Sequence, residues 1–233
     1  MFNYDMAHEK FQQIKDDPFF ADYIQKIKTF YEEQKELPYP QMSYTVFNIY
    51  AETGSRAEAE SIYFLRRKRL NATVILYLLE GKQEYIAEIC DMIWAICGEP
   101  TWVLPAHVGY CHDSLRHGVD LCAAETAETL AEIYGLLGEH LPQRIRELIK
   151  AEIEGRVFNV YENNESLWET WKNNWQSVCA GCVGIAYMYI APQRLEKALP
   201  KILRSMELYL SGLGDDGCCS EGVNYWLETF YIH

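Results

Sequence analysis

No apolar run in this sequence approaches the roughly 20 residues needed to span a bilayer. The apolar segment 72–79 is short and is followed by Glu80. The first ten residues carry no apolar signal core, so the chain reads as cytoplasmic. Positive charge is scarce: 21 Lys and Arg stand against 34 Asp and Glu, for a formal net charge of -13. That balance argues against nucleic acid and anionic membranes as partners. The phosphate-binding and dinucleotide-binding glycine patterns are missing, as is the G-x-S-x-G elbow, which disfavours nucleotide cofactors and a serine hydrolase. No stretch alternates as a half-buried strand does. No 34-residue repeat signature occurs.

Cysteine is present, eight times, but without framework spacing, and several positions fall inside apolar helical stretches. Such cysteines behave as small buried hydrophobes. Cys179 and Cys182 form a C-x-x-C pair, yet Cys218-Cys219 lacks the spacing to complete a zinc site. His107, His112 and His117 are spaced by five, which scatters them on a helix. No metal and no cofactor are expected.

Helical periodicity fills most of the chain. Apolar positions from Phe11 to Phe30 recur with a period near 3.6 and predict helix over 8–34, ended by Pro38 and Pro40. Residues 42–80 read as a helix pair jointed at Gly54-Ser55, with the run Arg66-Arg67-Lys68-Arg69 as a solvated face. Residues 84–97 predict a helix with Ile86, Ile89, Ile93 and Trp94 inward, ended by Gly98-Glu99-Pro100. Residues 99–117 are irregular. Helix returns over 118–138, from Pro142 to about Phe158, and over 173–190 and 193–210, with a polar loop at 161–170 and a Gly-Asp loop at 212–222. Helices joined by short loops make this an all-α chain of antiparallel hairpins, read as one helical domain over 1–233.

Two segments carry chemistry. Trp171-Lys172-Asn173-Asn174-Trp175 combines indoles, which stack on apolar sugar faces, with amides, which bind hydroxyls or a carboxylate. An Asn helix cap beside a core Trp accounts for the same residues. Gly214-Asp215-Asp216-Gly217, followed by Glu221-Gly222-Val223-Asn224-Tyr225-Trp226, reads either as turn chemistry or as a source of acid–base groups: Glu221 with Asp215 or Asp216 for a glycosidase, or Tyr225 for a base.

These segments resemble the helical domain of heparinase II/III-like polysaccharide lyases. The most specific matches are Asn173-Asn174-Trp175 followed by Val178-Cys179-Ala180-Gly181, and Asp216-Gly217 followed by Glu221-Gly222 and Tyr225-Trp226. Trp102 to His107 and the stretch from Asp120 to Ala127 extend the likeness over about 40–233. The resemblance implies an incomplete α/α toroid, preceding a C-terminal β-sandwich domain that this chain lacks. It implies β-elimination on a uronic-acid-containing oligo- or polysaccharide, with Asn174 neutralising the carboxylate and Tyr225 as base and acid. The expected substrate-binding set is Trp102, His107, Arg116, His117, Asn173, Trp175, Glu221 and Trp226. Where some family members carry His directly after this Asn, this chain has Trp175, which favours an Asn–Tyr chemistry. The family also uses a histidine from beyond the toroid, so this polypeptide alone is expected to be inactive or impaired. Two rivals stand beside the lyase: a glycoside hydrolase on a helical toroid, and a non-catalytic glycan-binding domain.

Overall fold

The computed structural model describes residues 3–111, 115–219 and 221–223. Those residues form ten α-helices and no strand, and none of the helices is long and apolar enough to cross a membrane. They gather into two compact units: Met1–Glu99 with Ile133–Ile149, and Pro100–Glu132 with Lys150–His233.

The first unit is organised on one long helix. Helices α1 (Tyr4–Lys15), α2 (Ala21–Gln34), α3 (Tyr44–Thr53) and α5 (Glu84–Cys97) all pack on α4 (Ala57–Glu80). Buried side chains run around much of α4, from Ala59 and Tyr63 through Leu70, Val74, Leu76 and Leu79, as expected of a helix enclosed by neighbours. The helix expected over 8–34 is two helices. Pro18 lacks an N–H and its ring obstructs the preceding turn, and the Asp17 carboxylate takes the Phe19 N–H at 2.9 Å. Asn3 and Ser43 accept the N-terminal amides of Met6 and Val46 and so start α1 and α3. Gly54, the joint read from the sequence, ends α3 with a left-handed φ of 76°, a conformation that favours glycine.

The charged run on α4 is not the solvated face that its composition implies. Lys68 is exposed, but Arg66 and Arg67 are buried. Arg67 makes a fork onto Glu99, with Nη1–Oε1 at 2.7 Å and Nη2–Oε2 at 2.6 Å. Arg66 Nε lies 2.8 Å from the same carboxylate, and its Nη1 donates to the Pro40 carbonyl at 2.8 Å. The Tyr63 ring lies 3.6 Å from the Arg67 guanidinium, and the Tyr39 ring 4.8 Å from that of Arg66. Glu99 is 32 residues from Arg67, so nothing local in the sequence announces the pairing. On α5, Ile86, Ile89 and Ile93 are buried as expected, but Trp94 points outward at 64% exposure: one residue past Ile93 is about 100° further round the helix.

The second unit holds the greater part of α6 (Leu121–Leu137), the end of α7 (Gln143–Ile153), α8 (Asn159–Asn163), α9 (Asn174–Ile190) and α10 (Pro192–Leu210). The helix expected to finish near Phe158 instead widens into a π turn, Glu154–Phe158, and continues as α8. The polar loop expected over 161–170 holds a short 3₁₀ turn, Leu167–Thr170. Phe158 stacks on Tyr187 of α9, with centroids 3.8 Å apart. Helices α9 and α10 are joined by Ala191 alone and pack together. Pro192 opens α10 at a position where its missing N–H costs nothing. Helix α9 is buried on nearly every side, including the polar residues Asn174, Gln176 and Ser177 of its first turn.

Candidate functional site

Burial of a helix's first turn demands partners for its orphan N–H groups, and the start of α9 shows where they come from. Asn173 caps the helix, its Oδ1 accepting the Trp175 N–H at 3.3 Å. The Asn174 N–H donates to Glu221 Oε2 at 2.8 Å, across 47 residues of sequence. The two segments singled out in the sequence therefore meet. Gly212 makes the approach possible: a Cβ there would lie 2.7 Å from the Lys172 carbonyl oxygen and 2.9 Å from the Lys172 Cβ. The loop is fixed further by the Glu221 N–H, which reaches the Cys219 sulfur at 3.4 Å. A carboxylate on the N-terminus of a 17-residue helix is favoured by the helix dipole as well as by the hydrogen bond.

Beside this helix start lies an aromatic group. Trp171 and Trp175 meet edge to face with centroids 5.3 Å apart, and Tyr110 lies 5.3 Å from Trp171 and 6.0 Å from Trp175. The short 3₁₀ turn Pro105–Tyr110 supplies Tyr110 and also His107, whose ring meets Trp175 edge-on at 4.8 Å.

His107 is held by Asp120, which the sequence reading did not single out as a site residue. Asp120 precedes α6 as its N-cap: Oδ1 accepts the Ala123 N–H at 2.7 Å, Oδ2 accepts the Leu104 N–H at 3.1 Å, and His107 Nδ1 lies 2.7 Å from Oδ2. Its solvent exposure is 0% and that of His107 is 6%. Trp168 braces this connection by donating its indole N–H to the Val119 carbonyl at 2.7 Å. Gly118 permits the close packing around it, since a Cβ there would lie 2.8 Å from Val103 Cγ2 and 3.0 Å from Cys111 Cβ. An Asp immediately before an apolar helical run is a legible cap signal, but its bond to an imidazole 13 residues earlier is not.

The other expected site residues lie elsewhere or outside the description. Trp102 is 1% exposed, with the Arg156 guanidinium 4.6 Å from its ring, so in this arrangement it is a core residue. Arg116 forks onto Glu152 at 2.7 and 3.0 Å, and Arg156 Nε donates to the same carboxylate at 2.6 Å. His117 is exposed. Tyr225 and Trp226, with His112, fall outside the described residues. Asn173, Asn174, Trp175 and Glu221 share the start of α9, and His107 reaches it through Trp175.

The thiols and the loop carboxylates have clear electrostatics. Burial pushes the Cys111, Cys179 and Cys182 thiols up, which makes them poor nucleophiles. None of the eight cysteines is in a disulfide, and among the described residues no three His, Cys, Asp or Glu side chains converge as a metal site. The Cys218 backbone N–H, 3.0 Å from Asp216 Oδ1, holds that exposed carboxyl below the usual range. This is the opposite of what a glycosidase acid requires. In comparison with known proteins, the chain matches no family model and no curated protein.

Proposed function

We propose that this chain is the helical part of a polysaccharide lyase that cleaves uronic-acid glycans by β-elimination. The observation that carries the reading is the meeting of the two chemistry-bearing segments at the start of α9. There a buried Asn174 offers its peptide N–H to a carboxylate 2.8 Å away, beside an aromatic group of Tyr110, Trp171 and Trp175. A uronate brings the same two features: an anion and an apolar ring face. In this reading Asn174 neutralises the substrate carboxylate as charge develops at C5. Tyr225 takes the C5 proton and returns a proton to the departing O4. The helices belong to an incomplete α/α toroid, with a C-terminal β-sandwich domain completing the site, and the free thiols suit the reducing cytoplasm.

The test is absorbance at about 235 nm, where the unsaturated sugar left by elimination absorbs, in contrast to the products of hydrolysis. The chain in its native polypeptide is offered glucuronate, mannuronate and guluronate oligosaccharides. A rise that Tyr225→Phe abolishes supports the reading. Reducing ends released without absorbance move it to a glycoside hydrolase. A non-catalytic glycan-binding domain is the second reading, favoured by the exposed Tyr110 ring beside Trp171. It predicts saturable binding that Tyr225→Phe leaves unchanged.

A further inference from the structure

We propose that the first unit carries a small-molecule site of its own: a cleft between α4, α5 and the segment after α2 that takes a small zwitterion, an apolar amino acid or a dipeptide. It shares no residue with the start of α9. The cleft has a volume of about 350 Å³, at the lower end of the range of small-molecule pockets. With about 30 Å³ as one water's share of liquid volume, that is room for about a dozen non-hydrogen atoms.

Four charged side chains of both signs line it. Lys35 follows the last residue of α2, and Arg69 belongs to α4. Glu88 and Asp91 belong to α5 and share one face of it with Met92 and Ala95. Among the described residues no ion pair joins either cation to either carboxylate, because three of the four are anchored elsewhere. Arg69 Nη1 donates to the Leu37 and Pro38 carbonyls at 3.2 and 3.1 Å. Lys35 Nζ lies 2.7 Å from Glu32. Glu88 Oε1 accepts the Tyr31 hydroxyl at 2.6 Å, and burial, then this hydrogen bond, pushes the Tyr31 phenol up, so it stays a donor. A guanidinium has five N–H donors and a carboxylate about four acceptor sites. Nε and Nη2 of Arg69, Oε2 of Glu88 and the Asp91 carboxylate are therefore open to a ligand.

The cleft thus has a cationic side and an anionic side, both fixed before a ligand arrives. A simple anion would meet the carboxylates of α5, and a simple cation would meet Arg69 and Lys35, so half of the lining repels each. A molecule with a carboxylate at one end and an ammonium at the other satisfies both sides. Its carboxylate takes the Arg69 guanidinium, the geometry that suits it best, and its ammonium takes Glu88 and Asp91. The apolar part has a place as well. Met92 is buried and lies with Ala95 in the lining, and a methionine adapts to the shape set against it. The Tyr39 ring is held by its hydroxyl, which donates to the Arg66 carbonyl at 3.2 Å, and by the Arg66 and Arg69 guanidinium groups at 4.8 and 5.3 Å from the ring.

The test is titration calorimetry together with methyl NMR of Met92 on the 233-residue chain. The probes are L-leucine, L-phenylalanine and L-alanyl-L-leucine, each also in an N-acetylated form without the ammonium and an amidated form without the carboxylate. At least one zwitterion is expected to bind saturably and shift the Met92 methyl resonance, and loss of either of its charges to weaken binding about 10–100-fold. Arg69→Gln keeps a donor for the backbone carbonyls and is expected to weaken the zwitterion by a similar factor while leaving the amidated form unchanged. Glu88→Gln with Asp91→Asn keeps an acceptor for Tyr31 and is expected to do the same with the acetylated form unchanged. No Met92 shift with any of the three zwitterions overturns the proposal. So do acetylated and amidated forms that bind as tightly as the zwitterion, or both variants binding it like wild type. A Met92 response to methyl glucoside alone assigns the cleft to a neutral sugar and overturns it too. None of these outcomes bears on elimination, so the lyase reading stands or falls separately.

Discussion

In the first unit, a buried carboxylate is closed in by cations. Glu99 faces two guanidinium groups, and tyrosine rings lie against both. In the second, the buried carboxylate of Asp120 faces two peptide N–H groups and one imidazole. The contrast lies in what each partner can still do. An arginine does not deprotonate in proteins, so the two cations around Glu99 are fixed in charge. An imidazole, unlike a guanidinium, can donate through one nitrogen and accept through the other. The two buried carboxylates thus differ in their partners: permanent cations in one unit, peptide N–H groups and an imidazole in the other.

Removing the centre of the first cluster gives the largest effect. Glu99→Gln leaves two buried arginines without their counter-charge, and losing one partner of a buried pair costs about 3–5 kcal/mol. Urea unfolding should show that loss. Replacing Glu99 by Leu together with Arg66→Met and Arg67→Met should recover most of the stability. If the single variant unfolds like wild type, the cluster is not a stability centre and the contrast with Asp120 fails.

The second centre breaks differently. Asp120→Ala removes the α6 cap and the imidazole's partner, for a loss of about 2–3 kcal/mol. His107→Asn should cost about 1 kcal/mol or less, because the donor to Asp120 is retained. A large stability loss in His107→Asn would show that the imidazole holds more than its contact with Asp120.

What the sequence made legible divides along the same line. The joint at Gly54, the helix of 84–97, the α9–α10 pair and the Asn cap at the start of α9 are local, written in residues a few positions apart. The two-helix break at Pro18 was also written locally, but the apolar period on either side concealed it. The burial of Arg66 and Arg67 depends on Glu99, the role of Asp120 on His107, and the partner of the Asn174 amide on Glu221. Each is a side-chain meeting across a loop or further, and periodicity carries no information about it. Trp94 shows a smaller error of the same origin: a large apolar residue was assigned inward by type, when its angular position faces it out.

A carboxylate of the first unit offers a finer test, because its pairing is only partly enclosed. Burial works to raise the Glu80 carboxyl, but hydrogen bonds from Lys82, Lys28 and Tyr85 outweigh it and hold the pKa at about 2. The folded-state value lies below that of the unfolded chain. The stabilisation is therefore fully present above roughly pH 5 and is lost as pH falls toward 2. After discounting for solvent screening it amounts to about 1 kcal/mol. Glu80→Gln should flatten the acid limb of the stability profile in this window. An unchanged acid limb would show that these contacts do not hold in solution.

The smallest expected change is at Glu221, and it bears most directly on function. Glu221→Gln keeps an oxygen to accept the Asn174 N–H but removes the charge at the N-terminus of α9. The expected loss is about 0.5 kcal/mol, shrinking as salt is raised because it is a charge–dipole interaction. A glycosidase that used Glu221 as acid or nucleophile would lose nearly all turnover in this variant. A lyase driven by Asn174 and Tyr225 would keep most of it, since Glu221 then helps to order the loop and takes no part in moving the proton. Stability and turnover measured on this one variant therefore separate a carboxylate that caps a helix from one that cleaves a bond.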